Sequence, residues 1–220
     1  MGYWIQIIAR HKEFFGTSTV AVGSLLVLWM LGGDSRVSPM LQSIIAAVGV
    51  FLVMPLVYCK LLLGRPLSAL GFQRGNPWAG IGGGVLALIT ALVALFALWN
   101  FTPLLRDYQL PVIVEEQFLF FVLYEVILGG FITLLFEVFF RGFVMLLWLR
   151  KWGVWSVVVQ AVLFSFLVYA SGGLNASMIP ALVFAPFAGL IAYQSQSLWY
   201  SYSASWFFFF LTDAIVLILR

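Results

Sequence analysis

Apolar runs of about twenty residues follow one another along the whole of this chain, and their length limits what it can become. The stretches 78–99 and 198–212 carry no charged residue at all. Wound as an α-helix at about 1.5 Å per residue, such a run matches a hydrocarbon core roughly 30 Å thick. Inside lipid every N–H and C=O needs a partner within the protein, so only helices and closed barrels can cross. A barrel would read as alternating segments of about ten residues, and these runs do not alternate. The expected fold class is therefore all-α, a polytopic transmembrane helix bundle. A soluble fold is excluded by composition: 64% of the residues are apolar and 9% are charged, against roughly 25% charged in a soluble domain. Too little polar surface would remain to coat a water-facing exterior.

The pattern predicts seven spans: 17–32, 39–63, 78–99, 118–149, 154–171, 177–195 and 198–219. The segment 1–16 mixes Tyr3, Trp4, Arg10, His11 and Lys12 and reads as an interfacial helix ahead of the first span rather than a cleavable signal. The first span closes at Gly32-Gly33-Asp34, and Pro77 opens the third. The fourth is too long for one perpendicular crossing, so it is expected to tilt, to kink near Gly129-Gly130, or to split there. Pro180 and Pro186 predict a bend in the sixth. No second domain or internal repeat is visible, so residues 1–220 are read as a single transmembrane domain.

Basic residues set the expected orientation. With seven spans, Arg10, Lys12, Lys60, Arg65, Arg74, Arg150 and Lys151 fall on one side, and Arg36, Arg106 and Arg220 on the other. The richer side should face the cytoplasm, which places the N-terminus inside and the C-terminus outside. A formal charge of +3 without a basic cluster gives no support for nucleic-acid binding. The single cysteine, Cys59, cannot form an internal disulfide.

Charges well inside a span are costly and need partners. Glu125, Glu137, Arg141 and Asp213 occupy such positions. Glu137 and Arg141 stand four apart on one helix, so their side chains meet. Two readings follow: an ion pair that neutralises itself and ties its helix to its neighbours, or part of a catalytic site. Glu125 lies about 120° around an ideal helix from Glu137, so the two are not expected to share a face. Glu125 and Asp213 are read as locally satisfied polar groups.

The run Leu135-Phe136-Glu137-Val138-Phe139-Phe140-Arg141-Gly142 resembles the first motif, Glu-Glu-x-x-x-Arg, of the CAAX protease and bacteriocin-processing (CPBP, or Abi) intramembrane proteases. Leu70 to Trp78, leading into Gly80 to Gly84, is similar to the family's segment before its third helix. Arg150-Lys151-Trp152-Gly153 and Ser197-Leu198-Trp199 resemble its later turns. The similarity covers 65–219 and implies a core of helices arranged as in those proteases.

In the family the first Glu activates a water, and histidines of the motifs Phe-x-x-x-His and His-x-x-x-Asn/Asp assist. That work needs a titratable group within reach of the water and fixed donors for the oxyanion. Here Phe136 stands at the first Glu position. The second motif aligns with Phe164 to Val168 or with Phe166 to Ala170, so the His position is Val168 or Ala170. In the third, Ser205 stands for His and Phe209 for Asn. The only histidine of the chain, His11, precedes the first span. Glu115-Glu116 does not restore the motif, because Phe120 holds the Arg position. A serine nucleophile from Ser165, Ser171, Ser203 or Ser205 would lack a His or Lys base in the spans.

The same lack of histidine removes the residues for haem, chlorophyll or a His-based zinc site, so no cofactor and no metal is expected. The resemblance implies a pseudoenzyme: a catalytically inactive relative that serves as scaffold, regulator or accessory subunit of a membrane complex, in a cytoplasmic membrane of bacterial type. Its expected partners are membrane lipids and another integral membrane protein. The alternatives are an active protease with altered catalytic residues built on Glu137, and a small lipid- or substrate-binding bundle.

Overall fold

The structure is a computed structural model and describes residues 2–30, 39–170 and 175–219. Seven apolar helices carry the fold: α1 (Gly2–Met30), α2 (39–62), α3 (Pro77–Phe101), α4 (Phe118–Trp148), α5 (Trp155–Ala170), α6 (Ile179–Ser195) and α7 (Leu198–Leu219). There is no strand among the described residues. Five segments are long and apolar enough to cross a membrane: Gln42–Leu62, Pro77–Phe101, Phe118–Trp148, Ala176–Ser195 and Leu198–Leu219. The two other apolar stretches, Glu13–Val27 and Trp155–Ala170, are shorter. This is an all-α membrane bundle. The expected end of the first span at Gly32-Gly33-Asp34, with Arg36, Ser171 and Arg220, lies outside the described residues.

The structure adds detail to three expectations from the sequence. The interfacial segment 1–16 is not a separate helix, because α1 runs unbroken through Gly16. Just beyond it, the hydroxyls of Thr17, Ser18 and Thr19 donate back to the carbonyls of Glu13, Phe14 and Phe15, so these polar residues are satisfied within the helix. The fourth span neither splits nor breaks at Gly129-Gly130. It continues as one helix, in which π-helical turns at Tyr124–Gly129 and Glu137–Trp148 flank an α-helical Gly130–Phe136. In α6, Pro180 sits in the first turn, where a missing N–H costs nothing, and only Pro186 is internal.

The central helix is α4. Every residue from Glu137 to Leu147 is buried, so this stretch is enclosed on all sides. One flank meets α1, α2 and α5 in an aromatic core in which Phe51 lies against Phe136, Phe139 and Phe140, and Phe164 against Phe136 and Phe140. The other flank meets α6 and α7. A second core joins α3, α6 and α7, with Phe184 stacked on Phe208 at 4.5 Å between ring centres. Lipid tails are as apolar as these side chains, so close packing rather than escape from water holds such contacts. The N-terminal helix is pinned by Thr17 to the Tyr58 hydroxyl at 3.0 Å, by Trp148 Nε1 donating to Ser18 Oγ at 2.8 Å, and by Glu13 pairing with Arg65 at 2.6 Å.

Candidate functional site

A seam of backbone contacts sets α7 against α4. The loop 71–76 and the turn 195–198 are joined by Leu198 N donating to Gly71 O at 2.9 Å and by Asn76 N donating to Ser195 O at 2.8 Å. Ser197 Oγ donates to Gln73 O at 2.5 Å. Gly71 has a φ of +88°, and a Cβ there would lie 2.7 Å from Leu146 and 2.9 Å from Leu198, so both conformation and space call for glycine. On α4, a Cβ at Gly142 would lie 2.8 Å from the Leu70 carbonyl oxygen. These close approaches bring the start of α7 down onto the second half of α4.

The result is a buried polar cluster around Glu137. Ser201 Oγ donates to Glu137 Oε2 at 2.6 Å, and Ser205 Oγ donates to Oε1 at 2.8 Å. The two serines lie one turn apart on α7 and cap the two carboxylate oxygens. Arg141 Nε lies 3.6 Å from Oε1, an ion-pair distance too long for a hydrogen bond. The guanidinium also donates from Nη2 to Ala185 O at 3.3 Å and rests over the Phe164 ring at 5.6 Å. Gln160 Nε2 donates to the same Ala185 carbonyl at 3.0 Å. Gly189 makes room for this amide, because a Cβ there would stand 2.5 Å from it. Glu137 is 1% exposed, Arg141 4% and Ser205 3%.

The remaining motif positions divide between core and surface. Phe136 packs among the rings of Phe51, Phe140 and Phe164. Of the two alignments on α5, one places Phe164 and Val168 inward, and both are buried. In the other, Phe166 and Ala170 are exposed at the outer face and end of α5, away from Glu137. Phe209 is half-buried beside Phe208, and Ser203 is exposed. Ser165 Oγ donates back to Ala161 O within its own helix.

A second polar cluster joins residues that the sequence left apart. The Tyr108 hydroxyl hydrogen-bonds Asp213 Oδ1, and the Asp213 and Glu125 side chains lie beside each other. Tyr108 belongs to the polar connection between α3 and α4, and burial together with the neighbouring Asp213 raises its phenol above the ordinary range. Trp206 Nε1 donates to the Glu125 carbonyl at 2.9 Å. Glu125 and Glu137 therefore both face α7, contrary to the offset expected from an ideal helix. The π-helical turn at Tyr124–Gly129 takes more residues per turn than an α turn, which lowers the rotation per residue and closes that offset.

Three participants escaped the sequence reading as members of these clusters: Ser201, Gln160 and Tyr108. A signal existed for the first. On α7 the small polar residues Ser201, Ser205 and Thr212 recur at helical spacing along one side of an otherwise aromatic helix, and all three are buried. Gln160 and Tyr108 carried no local signal, because each acts across elements distant in sequence.

Residues 115–211 match the family model described as "Type II CAAX prenyl endopeptidase Rce1-like". This stretch is similar to Rce1-like endopeptidases. It takes in α4, α5, α6 and most of α7, and so contains Glu137, Arg141 and both capping serines. The Rce1-like stretch is narrower than the 65–219 suggested by motif order, and the seam loop 71–76 and Asp213 lie outside it. No curated protein and no solved structure matches the chain.

Among the described residues no group of His, Cys, Asp and Glu is placed to hold a metal ion. Chemically, the Glu137 cluster offers a buried carboxylate engaged by two hydroxyls beside a guanidinium that rests over the Phe164 ring.

Proposed function

We propose that this Rce1-like membrane protein is a pseudoenzyme that serves as a scaffold, regulator or accessory subunit of a membrane complex. The observation that carries this reading is the capping of Glu137. Both carboxylate oxygens accept hydrogen bonds from Ser201 and Ser205, and the carboxylate is buried. A general base must reach the proton it removes, and this one is turned into an internal acceptor. Three substitutions support the same conclusion. By the resemblance, Phe136 fills the position of the water-activating Glu, Val168 or Ala170 that of one histidine, and Ser205 that of the other. Exchanging buried polar groups for apolar ones removes desolvation costs and favours a fold relieved of catalysis. On this reading Glu137 and Arg141 form a structural ion pair. The excess of basic residues at the α2–α3 and α4–α5 ends supports an orientation with that side of the bundle in the cytoplasm and the C-terminus outside.

Two measurements test the reading together. Mild detergent extraction of the native protein, followed by mass analysis of the intact particle, should reveal a stoichiometric integral membrane companion. Purified protein offered a panel of prenylated and transmembrane peptides should leave them uncut. A lone monomer under several mild extractions would count against the subunit role. Hydrolysis that disappears in Glu137→Gln would overturn the loss of catalysis and establish an altered protease.

A further inference from the structure

At the basic end of the bundle a cleft of about 370 Å³ opens between α4, α5 and α6. Met145, Leu146 and Ser156 lie buried at its base, and its accessible rim carries Arg150, Tyr193 and Gln194. We infer that this cleft seats the phosphate-bearing headgroup of an anionic phospholipid, with Arg150 as the charged contact.

Charge balance supports this occupant. Lys60, Arg65, Arg74, Arg150 and Lys151 cluster around this end of the helices. Among the described residues the one carboxylate there is Glu13, already engaged by Arg65 at 2.6 Å. Arg150 has no ion-pair partner among the described residues. Basic pockets between transmembrane helices on the cytoplasmic side are suited to anionic headgroups, since a leaflet rich in such lipids presents phosphate at that depth.

The rim also supplies neutral donors. The Tyr193 hydroxyl and the Gln194 amide make no hydrogen bond within the chain among the described residues, so both are free for a ligand. Ser156 Oγ donates to Gly153 O at 2.7 Å and steadies the turn that bears Arg150. The cleft opens at the end of apolar helices, at the depth where a lipid presents its phosphate. The inference is independent of whether Glu137 has lost its catalytic role.

Native mass spectrometry of the purified full chain, with phosphatidylglycerol or phosphatidylcholine added in equal amounts, tests it. The wild type should retain one phosphatidylglycerol in preference to phosphatidylcholine. Arg150→Gln should weaken retention about tenfold, as expected for losing a charge-assisted hydrogen bond, and Tyr193→Phe by a smaller factor. Lys151→Gln, a charge change outside the cleft, should leave retention unchanged. Equal retention of both lipids, or an equal loss in Lys151→Gln, would assign the effect to diffuse surface charge and overturn the site. Displacement of the lipid by excess inorganic phosphate would show that the ligand is the free anion and overturn the lipid assignment.

Discussion

Arg141 is the residue whose loss should be felt most. It is buried, pairs with Glu137 at 3.6 Å and donates to Ala185 O. Arg141→Ala strands a buried carboxylate, which typically costs about 3–5 kcal/mol, whereas replacing both partners by apolar residues of similar volume is often neutral. Thermal unfolding in detergent should show a large fall in Tm for Arg141→Ala and a partial recovery in the double change Glu137→Leu with Arg141→Met. An unchanged Tm in the single variant would remove the ion pair from the structural account. Ser205→Ala removes one of two hydroxyls held by the same carboxylate, and a hydrogen bond to a charged group contributes roughly 1.5–3 kcal/mol. The same melts should place Ser205→Ala between wild type and Arg141→Ala. At this scale the sequence shows the Glu137–Arg141 spacing plainly, because i,i+4 neighbours meet on any helix. It cannot show that Ser201 and Ser205 complete the cluster, since that depends on which side of α7 is pressed against α4 by the seam at 71–76.

Helix faces decide the next scale, and glycine makes the sharpest test. Gly80 and Gly82 lie two apart on α3, yet their surroundings differ. A Cβ at Gly80 would stand 2.3 Å from the Tyr200 ring on α7, while one at Gly82 meets nothing within 4 Å. Gly80→Ala must push the ring or the helix aside, and overpacking of this kind costs about 1–3 kcal/mol. Gly82→Ala should be neutral or raise stability by up to about 1 kcal/mol, through lower backbone entropy in the unfolded chain. Parallel melts check this, and equal losses in the two variants would show that α3 and α7 do not meet as described. The existence and order of the helices were legible in the apolar runs, because a span must be long, continuous and uncharged. Their internal geometry was not. The π-helical turns of α4 leave no mark in an apolar pattern, and they bring Glu125 and Glu137 to one neighbour. Likewise the polar mixture of residues 1–16 suggested a separate interfacial helix, although one helix carries that segment into the first span.

Over the whole molecule, α4 separates an aromatic flank from a polar one, and the polar flank is closed at its other end by the connection between α3 and α4. Tyr108 in that connection hydrogen-bonds Asp213 on α7, while Gln109 and Ser177 exchange hydrogen bonds with each other. This closure was not readable from the sequence, because its contacts join positions more than sixty residues apart. It makes a prediction with a definite sign. Burial, and then Asp213, raise the Tyr108 phenol above its ordinary value near 10. In the unfolded chain the phenol ionises near that ordinary value, whereas the folded protein keeps its proton. The stabilisation is therefore complete below about pH 10 and is lost as the pH climbs toward the raised folded value. Wild-type Tm should thus fall more steeply between pH 9 and about 11 than that of Tyr108→Phe, which has no proton to hold at this position. At neutral pH the same variant should be less stable by about 1–3 kcal/mol, the cost of leaving a buried acceptor without its donor. Parallel alkaline slopes for the two proteins would mean that Tyr108 does not close the bundle, and the cluster at Asp213 would then be open to water at that end.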